Sequence, residues 1–236
     1  MGASLFLVVG PFSIGNLIGG GGTTSASKVL DEQAERTERK LQKQPNDEAL
    51  LLSLTRTRLT AGNALTEVNP ETGVAQLTAE GRQELSLGVE AWRRYLKQTK
   101  EPNPSTALLV SRAYFGLAES SPSLEEAITN VEEAAKAQRI AAKAQPTVNS
   151  LTTLAIDEYY SGNFAAGDKA KKEAEAIAPT KSEAKEISKQ MAQYRKRGKA
   201  FQKQKVEVAQ QEGALRKEAL KNPLGGLSGG TGSLGE

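Results

Sequence analysis

Apolar positions recur at spacings of three and four along most of the chain, the period of a helix with one buried face. In residues 151–179, Leu151, Leu154 and Ala155 share one face, and Gly162-Asn163 then breaks the run as a helix C-cap and turn. Ala166, Ala170, Ala174 and Ile177 carry a second helix, which Pro179 stops. Residues 47–65 echo the first half. Leu51, Leu54 and Gly62 have the spacing of Leu151, Leu154 and Gly162, and Asn follows the glycine in both. Further helices are predicted from Lys28, capped by Ser27, to the turn Gln44-Pro45-Asn46-Asp47, and from Leu77 or Thr78 to Lys100. Two more cover residues 106–117 and 124–144, the latter rich in alanine. Asn69-Pro70-Glu71-Thr72-Gly73 reads as an interrupting turn cluster, and Trp92 as a core residue at its helical spacing.

Residues 181–222 form one long basic helix. Ile187, Tyr194, Phe201, Val208 and Leu215 recur every seventh position, while the partner heptad position (Met191, Gly198, Lys205, Glu212, Ala219) is poorly apolar. Such a stripe suits a helix that caps an array or docks a partner better than a self-sufficient coiled coil. The same helix holds twelve lysines and arginines against five acidic residues. Its densest basic patch carries Arg195, Lys196, Arg197, Lys199, Lys203 and Lys205. The alternatives for this patch are a solvated helix face, an anionic protein or membrane surface, and nucleic acid, the last being the least favoured.

The 151–179 hairpin resembles a tetratricopeptide repeat, a 34-residue helix–turn–helix unit. Leu151, Leu154, Ala155, Gly162, Phe164, Ala174 and Pro179 occupy that family's signature positions, while Glu158, Gly167 and Lys171 depart from it. The resemblance implies an all-α fold, a short solenoid of about three hairpins over residues 28–180. It further implies a concave peptide-binding face lined by the first helix of each unit. Here that face would carry Asn149, Thr152, Ile156, Tyr159 and Tyr160, with Arg56 and Leu59 in the earlier unit. The adjacent pair Tyr159-Tyr160 is the expected peptide contact.

At the start of the chain, residues 1–27 contain no charged side chain, and residues 1–18 are mostly apolar. They read as a single-pass membrane anchor, with a cleaved signal or a soluble apolar arm as alternatives. The bulk of the chain is expected outside the cytoplasm. Residues 19–27 read as a flexible linker and residues 223–236 as a disordered tail.

Composition narrows the chemistry. With no Cys and no His in 236 residues, thiol, imidazole and the usual zinc and iron–sulfur chemistries are removed together. Aromatics at 5% are too few for one deep core but suit layered helices packed through Leu and Ala. No cofactor and no small-molecule substrate is expected. The resulting expectation is a non-catalytic, membrane-tethered scaffold whose partner is another protein or peptide.

Overall fold

The structure, a computed structural model, describes residues 23–68 and 75–221. The anchor expected at 1–18, the start of the linker, the turn cluster at 69–73 and the tail at 223–236 lie outside these residues. Among the described residues no helix is long and apolar enough to cross a membrane.

The fold is all-α. In chain order the elements are α1 (Thr23–Lys43), α2 (Glu48–Ala64), β1 (Thr66–Val68), β2 (Ala75–Leu77), α3 (Ala79–Leu96) and α4 (Pro104–Glu119). There follow α5 (Leu124–Ala144), α6 (Val148–Tyr160), α7 (Phe164–Ala176) and α8 (Lys181–Lys221). Helix α1 begins at Thr23, five residues ahead of Lys28, so helix enters the stretch expected to be linker.

Most helix starts are written locally. Asp47, Thr78, Asn103 and Ser123 each accept a hydrogen bond from the backbone N–H three residues on, satisfying one orphan donor. Thr147 and Ser150 do so reciprocally as a capping box at α6. Each helix then packs on its neighbours in sequence: α2 on α3, α4 on α5, α6 on α7, with α1 against α2 and α8 against α6 and α7.

Two features depart from the sequence expectation. Between α2 and α3 lies a short antiparallel ribbon, Thr66 opposite Leu77 and Val68 opposite Ala75. Three-residue strands with no sheet to join leave too short a pattern to detect. The second departure concerns the echo between Gly62 and Gly162. Gly162 has φ +88° and makes the α6–α7 turn, a conformation that L side chains rarely adopt. Gly62 instead sits inside the last turn of α2, where an added Cβ would lie 2.8 Å from the Gly81 carbonyl oxygen. One glycine is there for its dihedral and the other for close packing of α2 on α3, so the shared spacing does not mark equivalent turns.

The interior forms two adjoining clusters. The first joins α1 to α5 through Leu51, Leu59, Leu85, Tyr95 and Tyr114, and includes Trp92 at 5.1 Å from the Tyr95 ring. Arg58 ties its helices together: its guanidinium lies 2.8 Å from Glu84 on α3 and 2.9 Å from Glu38 on α1. The second cluster joins α4 to α8 and holds Ile156, Tyr159, Tyr160, Met191, Tyr194 and Phe201.

Candidate interaction surface

The second cluster places the residues expected to bind peptide. Helix α8 turns Ile187, Met191, Tyr194, Gly198 and Phe201 toward α6 and α7, at alternating spacings of four and three. Helix α6 meets it with Ile156, Tyr159 and Tyr160, which are 3%, 0% and 3% exposed. The two tyrosines are therefore core, not an open contact surface. Tyr160 packs edge-on against Phe201 at 5.8 Å between centroids, and its carbonyl accepts a 2.6 Å hydrogen bond from the Gln202 amide. Tyr159 stacks on Phe164 at 6.2 Å, and its hydroxyl donates to Asp168 at 3.0 Å.

The heptad partner position that looked poor is part of this seam. Met191 is buried at 1% exposure. A Cβ on Gly198 would lie 2.5 Å from the Tyr159 carbonyl oxygen, so glycine is what lets the two backbones approach. Apolarity alone hides that role, because the position is used for smallness.

Electrostatics reinforce the seam. Arg195 grips Asp168 with two nitrogens, Nε at 2.9 Å from Oδ1 and Nη2 at 3.1 Å from Oδ2, and lies 5.6 Å over the Phe164 ring. That guanidinium, with the Tyr159 hydroxyl, holds the Asp168 carboxyl below its usual range. Burial pushes the Tyr159 phenol up, and the Asp168 charge adds to this. The expected basic patch is thereby divided. Arg195 faces α7, Lys205 reaches Glu132 on α5 at 3.5 Å, and Arg197 lies 5.6 Å over the Tyr194 ring. Lys203 pairs with Glu207 one turn along at 3.6 Å. Lys196, Lys199 and Lys203 are exposed.

Two buried acids on α6 lie next to the seam. Glu158 is 1% exposed and pairs bidentately with Arg139 of α5, with Nη2 at 2.8 Å from Oε2. Asp157 accepts one hydrogen bond, from Ser111 of α4 at 3.3 Å, while its Oδ1 has no partner. Burial, only partly opposed by the Ser111 hydroxyl, drives the Asp157 carboxyl well above the ordinary aspartate range, and the Glu158 charge adds to this. Each acid sits between helices rather than opposite another in a cleft. Among the described residues no group of acidic side chains is placed to hold a metal ion.

Of the expected peptide-binding residues, Arg56, Asn149 and Thr152 stay accessible. Arg56 is exposed and its Nε donates to Thr106 of α4 at 2.7 Å, bridging the two helices. Leu59, its expected companion, is fully buried. Asn149 is exposed and Thr152 half-buried at the start of α6. Sequence reasoning passed over Leu108, Arg112 and Phe115 on α4, one stripe at i, i+4 and i+7, and Leu52 one turn before Arg56. The leucines and Phe115 are half-buried against the core and Arg112 is exposed. The i, i+4, i+7 spacing is the available signal, but periodicity does not say whether such a stripe faces solvent or core. Comparison of this chain with protein families, curated proteins and solved structures finds no match.

Proposed function

We propose that the chain is a non-catalytic helical scaffold that binds a peptide segment of another protein. Its hairpins would act as tetratricopeptide-like units, and residues 1–18 would hold it at a membrane with the body outside the cytoplasm. The observation that carries this is the mixed surface over α2 and α4, where half-buried Leu52, Leu108 and Phe115 lie among exposed Arg56 and Arg112. Partly covered apolar side chains beside guanidinium groups suit a ligand with apolar anchors and carboxylates, since arginine forks match carboxylates in pairs. Tyr160 and Tyr159 are not part of this surface, because α8 covers them.

Peptides selected from a random display library on the full chain should combine acidic and apolar residues. Reversing both charges (Arg56→Glu with Arg112→Glu) should weaken the selected peptide by about tenfold, roughly 1.4 kcal/mol, while the chain stays folded with a stability loss no larger than the about 1 kcal/mol of the lost Arg56–Thr106 hydrogen bond. Equal affinity for the wild type and the reversed variant rejects this surface.

A further inference from the structure

Helix α8 has a second face that the docked seam does not use. Successive residues turn by about 100°. With Ile187, Met191, Tyr194, Gly198 and Phe201 inward, that rotation sends Lys181, Lys185, Lys189, Lys196, Lys199 and Lys203 to the opposite side, and all six are exposed. The row runs for about 33 Å along the helix. Only small or neutral residues, among them Ser182, Ala192 and Ala200, lie between the lysines on that side. Lys203 has an ion pair with Glu207; the other five make none among the described residues.

We propose that this lysine row is a docking surface for an anionic phospholipid membrane. Three observations favour lipid over nucleic acid. The aromatics of the basic segment, Tyr194 and Phe201, are both 4% exposed and point into the body, so they offer no stacking platform for bases. The arginines that could fork onto phosphates are placed elsewhere, Arg195 on Asp168 and Arg197 over Tyr194. What remains is a straight row of point charges. Mobile lipid headgroups can gather under such a row, whereas the phosphates of a rigid duplex wind away from it. Between Lys181 and Lys203 the face holds no large apolar residue, and exposed Val206 lies just beyond, so the row adsorbs to headgroups without inserting.

The test uses the full chain and two kinds of vesicle, phosphatidylcholine alone and phosphatidylcholine with about one-third phosphatidylserine. Binding to the neutral vesicles measures any contribution of the apolar N-terminus, and the increment on adding phosphatidylserine measures the lysine row. Each lysine near an anionic surface contributes about fivefold. Lys189→Gln, Lys196→Gln and Lys203→Gln together should therefore cut the increment by about a hundredfold and leave neutral-vesicle binding unchanged. Lys169→Gln, an exposed lysine on α7, should change it little. An increment that survives the triple substitution overturns the proposal. So does tighter binding to a short DNA duplex than to the anionic vesicles, lost in the same triple variant. Neither result touches the α2–α4 surface, whose test rests on Arg56 and Arg112.

Discussion

Replacing Gly198 by alanine sets two physical effects of opposite sign against each other. Alanine in place of a helix-interior glycine favours the helix by about 1 kcal/mol. Against that, the added methyl would lie 2.5 Å from the Tyr159 carbonyl oxygen, 2.8 Å from its carbonyl carbon and 3.0 Å from its Cβ. Carbon contacts are at their best near about 3.5–4.0 Å, so α8 must withdraw by about 0.5–1 Å, a gap that forfeits a quarter to a half of the attraction there. The obstacle is mainly backbone, so no rotamer change relieves it. Overpacking of this kind costs about 1–3 kcal/mol. The net expectation is destabilisation by about 0–2 kcal/mol after the helix gain is subtracted. Urea unfolding followed by circular dichroism reads the sign directly. Ala192→Gly, at an exposed position on the outer side of the same helix, calibrates the intrinsic term and should cost about 1 kcal/mol. A Gly198→Ala protein that is more stable than wild type would refute the close approach of α8 to α6.

Three further outcomes follow from the charges around the seam. Arg139→Ala should cost more than Glu158→Gln, about 2–3 against about 1 kcal/mol in chemical denaturation, because only the first leaves a buried carboxylate without its partner; equal losses would count against the pair. Asp157 has a raised folded-state value, so the folded chain holds a proton that the unfolded chain releases. Its contribution to stability therefore falls as pH rises above the ordinary 3.8, and Asp157→Asn should flatten that decline and stabilise the protein at neutral pH, as thermal melts across pH would register. Asp168 has the opposite sign. Its contribution is present above 3.8 and is lost as pH falls through the lowered folded value. With side-chain exposures of 37% for Arg195 and 39% for Asp168, Asp168→Asn should cost only about 0.5–1 kcal/mol in urea unfolding, less at high salt.

The helices were legible because the rules that place them are local. Asp47, Thr78, Asn103 and Ser123 announce helix starts by side-chain chemistry three residues from the N–H they satisfy, and apolar periodicity supplies the rest. The Leu124–Ala144 helix came out at its observed bounds for that reason. The pairing between helices was not legible in the same way. Tyr159 and Tyr160 looked like a contact surface because periodicity assigns a face to a helix without saying what covers it. The covering element, α8, lies some distance along the chain, and one of its key contact residues is a glycine that hydropathy scores as a defect. Gly62 misled for a related reason, since identical spacing concealed a packing glycine in one hairpin and a turn glycine in the other. Leu108, Arg112 and Phe115 were readable as a stripe, but whether such a stripe faces solvent or core depends on neighbours that one sequence does not name.

The most direct measurement is a backbone amide NMR titration of the full chain with a display-selected peptide. The account predicts shifts centred on Leu52, Arg56, Leu108, Arg112 and Phe115, with Tyr159, Tyr160 and the Ile187, Met191 and Phe201 amides of α8 unmoved. Shifts centred instead on Tyr159 and Tyr160, together with loss of the α8 contacts, would contradict it: α8 would then be a displaceable occupant of the binding face, not a fixed part of the core.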